Sequence, residues 1–325
     1  MIGLYIGIGI LALFIIFGFM VAIAYHVKMF GKRWEPDGIT KYYDIKDFPN
    51  LDAKPVEFKR KRVTLRGFIY SYPNEKYKGI LVFSHGMWGS HLAYLQEIER
   101  LALAGFLVLG FDYHGTESSD GKNTRAMSES LVSLDSAISF VKEKYSNYDI
   151  YVMGHSWGGF ASVNIAKYHP EIKKIVAMAP FMSVTRLLKS TISKKLWIFI
   201  PFMMIVEFIK SGFKAFSDGI KVLSSTKSNT LILHSKDDFL VKYPYHTGKL
   251  LSVNKNELVK IIVMDKKRHN PDYSLDAVEY MIDMNKKVRS MNDQNEKISF
   301  RKTWDYKRMC ALDDSVISDI VEFLN

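Results

Sequence analysis

The stretch YVMGHSWGGF, residues 151–160, sets a serine inside Gly154-His155-Ser156-Trp157-Gly158. That is G-x-S-x-G, and by itself it is only a glycine-rich turn. Its flanks give it meaning. YDIYVMG (148–154) reads as a buried strand, and WGGFASVNIAKYH (157–169) reads as a helix. Glycine before and after the serine permits a sharp turn where a Cβ would clash. Such a turn lifts the hydroxyl above the C-terminal edge of a sheet, and the following helix aims its positive end at the same spot. Ser156 is therefore a candidate nucleophile.

Outward from this turn, strands alternate with helices. EFKRKRVTLRGFIYSYP (57–73) alternates in character and predicts paired strands. GILVFSH (79–85), FLVLGFD (106–112), IKKIVAMAP (172–180), NTLILHS (229–235) and LVKIIVMD (258–265) are short apolar runs that predict buried strands. HLAYLQEIERLALAG (91–105) is amphipathic and ends in glycine, and Met127, Leu131, Leu134, Ile138 and Val141 recur at helical spacing. Strands joined by helical crossovers mean an α/β class with a mainly parallel sheet.

A serine hydroxyl needs a base, and a histidine base needs an orienting carboxylate. In a strand–turn–helix setting the chain order is serine, then acid, then histidine. Two later strand ends qualify. LILHSKDDFLV (231–241) carries Asp237 and Asp238, and IIVMDKKRHN (261–270) leads to His269. The rival reading of His269 is a solvated side chain among Lys266, Lys267 and Arg268, cations that disfavour imidazolium unless a carboxylate faces it.

With these residues in place, the sequence resembles the α/β-hydrolase superfamily, in its monoacylglycerol lipase/lysophospholipase-like and serine aminopeptidase-like branch. The resemblance covers about 57–180 and 226–275 and the C-terminal helix. His234-Ser235-Lys236-Asp237-Asp238-Phe239-Leu240-Val241 is similar to the family's H-G-x-x-D-x-x-V loop with serine for glycine, which implies Asp238 as the acid and Asp237 as a turn cap. His269-Asn270 resembles the family's HN ending and implies His269 as the base. His85-Gly86-Met87-Trp88-Gly89-Ser90 resembles the oxyanion loop. The implied oxyanion donors are the backbone N–H groups of Met87 and Trp157. Gly86, Gly154 and Gly158 are the motif glycines, and His85 and His155 are expected to be structural. FDYHGTESSDGK (111–122) is similar to a family loop but has Glu117 where glycine is usual.

The interval 181–228 is too long for a simple crossover and is the expected place for a helical cap. Its uncharged run LWIFIPFMMIV (196–206), broken by Pro201, is too short to span a bilayer. Three readings stay open: a cap helix packed on the core, a lining for an acyl-chain pocket, or a segment that dips into the membrane interface. Lys189, Lys194, Lys195, Lys210 and Lys214 flank it, as suits an anionic leaflet or merely a solvated rim.

Residues 2–25 carry no charge. As a helix they extend about 36 Å, against a hydrocarbon core of roughly 30 Å. No basic residue precedes the run, and it is longer than a cleaved signal's apolar stretch. An uncleaved single-pass anchor is expected over 1–27, a linker over 28–56, and the hydrolase domain over 57–325. Lys28, Lys32, Arg33 and Lys41 follow the span and place the N-terminus outside and the catalytic domain in the cytoplasm. Gly3 and Gly7 form a GxxxG pair, which does not settle the oligomeric state. The chain has 325 residues, a net charge of +11 and one cysteine, Cys310, so no intrachain disulfide can form. The basic balance favours anionic partners, but no nucleic-acid motif accompanies it, and 281–309 reads as a helix plus a surface excursion. No HExxH, paired CxxC, Walker loop or GxGxxG is present, so no cofactor or metal is expected.

The expected activity is hydrolysis of a carboxylic ester with an acyl chain, at a small-molecule or lipid substrate beside a membrane. The same triad would serve a serine peptidase or a thioesterase, and a silent membrane-tethered scaffold is the reading from another class.

Overall fold

The computed structural model describes residues 1–325. The chain opens with α1 (Ile2–Phe30), which runs past the uncharged stretch to Phe30. The segment expected to be a linker is pinned to the domain. Arg33 donates to the carbonyls of Ser119 (2.7 Å), Gly121 (3.1 Å) and Glu117. Strand β1 (Asp52–Arg60) begins inside that segment and pairs antiparallel with β2 (Val63–Ser71), from Asp52 opposite Ser71 to Arg60 opposite Val63. The early part of β1 is exposed on both faces at the sheet edge, where Pro55 is tolerated, so no alternation marked it in the sequence.

From there the α/β pattern unfolds as the sequence predicts. β3 (Ile80–Ser84), α2 (Leu95–Leu103), β4 (Leu107–Phe111), α3 (Glu129–Lys144), β5 (Ile150–His155), α4 (Trp157–Ile165) and β6 (Lys174–Met178) follow in turn. The cap interval holds α5 (Val184–Thr191), α6 (Ile200–Ser211) and α7 (Gly219–Leu223) and no strand. The rest comprises β7 (Asn229–Ser235), α8 (Thr247–Leu251), β8 (Val259–Met264), α9 (Leu275–Ser290), α10 (Gln294–Lys302), α11 (Tyr306–Met309) and α12 (Asp314–Leu324). The excursion expected over 281–309 is thus mostly helical.

One eight-stranded sheet orders these strands β1-β2-β4-β3-β5-β6-β7-β8. β2 pairs antiparallel with β1 and β4; the remaining pairs are parallel. All five residues of β3 are buried, because helices cover both faces of the central strands. Alternation along that strand divides the core. Ile80 and Val82 join the cluster with Leu134 and Ile138 of α3 and Phe160 of α4. Leu81 and Phe83 join the cluster with Ile98 of α2 and Ile320 of α12. The same parallel register carries the C-terminal ends of β5, β7 and β8 to one edge, where His155 lies opposite Met178 and Ser235 opposite Met264.

Candidate active site

At that edge β5 turns into α4 through Ser156, whose backbone sits at φ 56° and ψ −107°. This left-handed geometry is costly for a residue with a side chain and persists only where neighbours over-determine it. The neighbours here do so. A Cβ on Gly158 would stand 1.8 Å from the Ser84 carbonyl oxygen, and one on Gly154 would stand 2.6 Å from that of Gly158. The glycines therefore let the helix start directly against β3 and β5, and the turn has no other course.

The structure brings the serine, the histidine and one of the two aspartates together. His269 Nε2 lies 2.8 Å from Ser156 Oγ, and His269 Nδ1 lies 2.7 Å from Asp238 Oδ2. Asp238 is buried, and its Oδ1 accepts from the N–H groups of Leu240 and Val241, both at 2.9 Å. Burial alone would raise its carboxyl. Hydrogen bonds from His234 and His269 outweigh burial and hold the carboxyl well below the usual carboxylate range. An ionised Asp238 fixes the tautomer of His269 with the proton on Nδ1, which leaves Nε2 free to accept from the serine. Asp237 faces away: its Oδ1 accepts from Ser235 Oγ (2.5 Å) and Arg268 N (3.1 Å) and so closes the turn.

His85 and His155 brace the site. The Nδ1 of His85 donates to the Gly86 carbonyl at 2.8 Å, its Nε2 accepts from Tyr113 N, and its ring stacks on Tyr113 at 3.8 Å. Burial pushes it down to about 4, so it stays neutral. The Nε2 of His155 donates to the His269 carbonyl at 2.7 Å. Its Nδ1 therefore accepts, and the donor is the Tyr94 hydroxyl at 2.8 Å, which itself accepts from Gly86 N at 3.1 Å. Burial, and then the nearby His269, push His155 down to about 3. This line of bonds ties the Gly86 loop to the His269 loop across the mouth of the site. Sequence reasoning missed Tyr94, which sits in an ordinary amphipathic stretch with no motif to mark it. It also missed His234 as a partner of Asp238; the two approach to 3.2 Å.

The backbone N–H groups of Met87 and Trp157 have no protein acceptor, and both residues line the cavity that holds Ser156. Glu117, standing where glycine is usual, adopts φ 37° and is held there by the Arg33 and Trp34 contacts to its backbone. The cavity measures about 420 Å³ and is largely apolar, with Trp88, Phe181, Leu187, Ile192 and Leu240 in its wall. Two further wall residues, Tyr25 and Met29, come from α1. Nothing in the sequence connected the N-terminal helix to the site. The clustered His, Asp and Glu side chains nowhere form a group of three suited to a metal ion.

An acid–base–serine relay with two free N–H donors beside it can attack a carbonyl and hold the resulting oxyanion. Comparison with known proteins agrees. The family described as serine aminopeptidase, S33 matches residues 75–204. Cutinase 2 of Thermobifida cellulosilytica is 29% identical over 117 residues, 35% of this chain and 44% of that protein, so the chain spans under half the length of this relative. An esterase of Pyrococcus furiosus superposes with a TM-score of 0.56 at 20% identity, covering 84% of this chain and 98% of that one. Est1E of Butyrivibrio proteoclasticus, solved with ferulic acid bound, superposes at 0.53 and 19% identity, covering 70% and 98%. Sheet order, nucleophile turn and the superposed esterases converge on one conclusion: the chain has the α/β-hydrolase fold.

Proposed function

We propose that this protein is a membrane-anchored serine hydrolase that cleaves a carboxylic ester bearing an acyl chain, in the manner of a lysophospholipase or monoacylglycerol lipase. The observation that carries the reading is the Ser156–His269–Asp238 relay opening into an apolar cavity walled partly by the N-terminal helix. Ser156 Oγ attacks the ester carbonyl while its proton passes to His269 Nε2. Asp238 stabilises the imidazolium. The N–H groups of Met87 and Trp157 hold the oxyanion. The intermediate collapses, the ester C–O bond breaks, and the leaving alkoxide takes the proton from His269. Water then attacks the acyl-enzyme, gives its proton to His269, and Ser156 departs with that proton as the acid is released. The relatives named cutinase and esterase favour an ester over other acyl compounds.

The packing of α1 on the domain favours its retention as an anchor over loss as a signal. The helix is long and apolar enough to cross a membrane. Gly18, Ala22, His26 and Phe30 form one buried stripe against the domain, and His26 Nε2 pairs with buried Glu207 at 2.9 Å. Removing α1 would strip buried Glu207 of one of its hydrogen-bond partners. The basic residues after the span orient the catalytic domain to the cytoplasm.

A second reading has its own support, because the matched family is described as a serine aminopeptidase. The test is turnover by purified full-length protein of matched acyl esters, acyl thioesters and aminoacyl amides, alongside fluorophosphonate labelling of wild type and Ser156→Ala. We expect labelling that is lost in the variant, and preference for the esters. Preference for the amides would transfer the site to peptide chemistry. A folded wild type that neither labels nor turns over any of the three would leave a tethered binding protein.

A further inference from the structure

Helix α1 has two parts. Residues 2–13 are exposed all round. From Phe14 onward the helix lies against the cap: Phe14 and Phe19 meet Phe202 at 5.8 and 5.2 Å between ring centres, and Phe17 meets Phe199 at 5.7 Å. Gly18 is where the two helices touch, since a Cβ there would fall 2.5 Å from the Phe202 ring. The free part, twelve residues, is only about 18 Å long. A hydrocarbon core is about 30 Å thick. If α1 spans, the residues that carry the cap must be inside the bilayer, and α6 goes in with them.

The outward face of the cap fits that depth. Ile205, Phe208, Ile209, Phe213 and Phe216 are exposed, Ile209 to 71% and Phe213 to 78%. Phe208 meets Phe213 and Phe216 at 5.3 and 5.7 Å between ring centres, so these side chains form one patch beside the helix that packs on α1. A contiguous apolar patch of this kind marks a contact surface. Around it stand exposed Lys189, Lys194, Lys195, Lys210 and Lys221, long side chains that reach the headgroup level while their stems stay apolar. The stretch 194–223 is itself apolar enough to be a span, but Met203, Met204 and Val206 of α6 are buried in the core, so it lies on the domain and does not cross. The cavity shares a wall with this surface. Its wall includes Tyr25 and Met29 of α1, and its exposed members Trp88 and Leu240 are apolar.

We infer that α1 and α6 form one insertion surface for a phospholipid leaflet with anionic headgroups, and that the acyl substrate enters the Ser156 cavity sideways from that leaflet along α1. This rests on the proposed anchor and deepens it. The helix is a wall of the site as well as a tether. An acyl chain that leaves lipid for Tyr25, Met29, Leu187 and Ile192 never crosses water.

The test places a single environment-sensitive fluorophore on Ile209→Cys, Ile6→Cys or Lys144→Cys, each in a Cys310→Ser background. The full-length proteins are reconstituted in phosphatidylcholine vesicles containing phosphatidylglycerol, with and without spin-labelled lipid. Fluorophosphonate labelling of Ser156 certifies the fold of each. We expect spin-labelled lipid to quench positions 6 and 209 and to spare 144. Quenching at 6 without quenching at 209 overturns the insertion of the cap and leaves the anchor standing. Quenching at neither removes the anchor, and the inference with it. A second arm carries the functional claim. Ile209→Lys with Phe213→Lys should lower hydrolysis of a long-chain monoacylglycerol in vesicles more than about tenfold. Hydrolysis of a short soluble ester should stay unchanged. Equal loss on both substrates overturns sideways entry.

Discussion

The strand edge and the cap solve opposite problems. At the edge, Ser156, Asp238 and His269 hang from the ends of β5, β7 and β8, and each is fixed by bonds to buried neighbours. In the cap, α5 and α6 join the core on one side and leave Ile209 and Phe213 uncovered on the other. The edge needs positions good to a fraction of an ångström, because a relay fails when its atoms drift. For the proposed leaflet contact, the cap needs only a surface of the right polarity at the right depth. So the edge is written in particular residues at particular spacings, and the cap is written in bulk character.

Breaking the edge should have the largest consequences. Ser156→Ala should lower kcat by about a million-fold with the thermal unfolding temperature unchanged, because the hydroxyl carries the bond-making step. A residual rate of a few per cent would mean that another nucleophile does the work. Asp238→Asn should cost about ten-thousand-fold, since the amide favours the wrong tautomer of His269. Asp237→Asn sharpens the point. It removes a charge at the next position but only a turn contact and a half-exposed pair with Arg268, so kcat should fall by less than about threefold. Equal losses from the two variants would undo the assignment of Asp238.

These contrasts also explain what could be read from the sequence. The G-x-S-x-G turn between a strand and a helix was legible because its glycines answer a hard steric demand at Gly154 and Gly158. The choice of Asp238 over Asp237 was not legible from spacing alone. It came from the likeness of 234–241 to a family loop, and the structure shows the physical ground: one carboxylate turns to His269 and the other to Arg268. Tyr94 and Glu207 were invisible. Each acts through partners far off in sequence, Tyr94 on His155 and Glu207 on His26, Met127 and Ser128, and no local pattern encodes such meetings. The first strand was missed at its start because an edge strand with both faces wet lacks a period. The union of α1 with the cap was hidden for a related reason. A uniformly apolar helix shows no preferred face until something packs on it, and only Gly18, Ala22 and His26 betray which face that is.

The junction of cap and α1 gives effects of middle size. Glu207 accepts from His26 Nε2 (2.9 Å), Met127 N (2.8 Å), Ser128 N (3.2 Å) and Ser128 Oγ (2.7 Å) while buried. Glu207→Leu orphans all four donors and should destabilise the protein by about 3–5 kcal/mol. His26→Leu removes one donor and leaves three, so its cost should be about 1–3 kcal/mol. Denaturant melts of both variants in detergent check the ranking. Equal or reversed costs would mean that the carboxylate is held by α1 alone.

Acidification tests both regions at once and should give the smallest effect per group. Four imidazoles are pushed down mainly by burial: His85 and His114 to about 4, His155 and His246 to about 3. In the unfolded chain each titrates near 6.5. The unfolded state therefore takes up protons that the fold refuses, and the stability these groups confer is complete above about pH 6.5 and is lost as pH falls toward 3–4. Buried carboxyls act with the other sign. Burial raises Glu129 to about 7 and lifts Glu97 and Asp272, a close pair that repels a second charge. Their stabilisation is full below about pH 4.5, where the unfolded carboxyls are protonated, and is lost as pH rises past their folded values. Between pH 6.5 and 4.5 the two sets oppose each other, so the unfolding temperature should change little. Below about 4.5 the carboxyl gain stops growing while the histidine loss continues. Asp238 and Asp112, both held low in the fold despite burial, then add to the loss. The unfolding temperature of detergent-solubilised Ser156→Ala should thus stay nearly flat from pH 7 to 5 and drop steeply below. His246→Gln, whose ring bonds to Met182 N and Ser190 and to none of Ser156, Asp238 and His269, should make the drop shallower by about one proton. A steep fall already by pH 5 would mean that Glu129, Glu97 and Asp272 do not offset the imidazoles, so that their carboxyls are not raised in the fold.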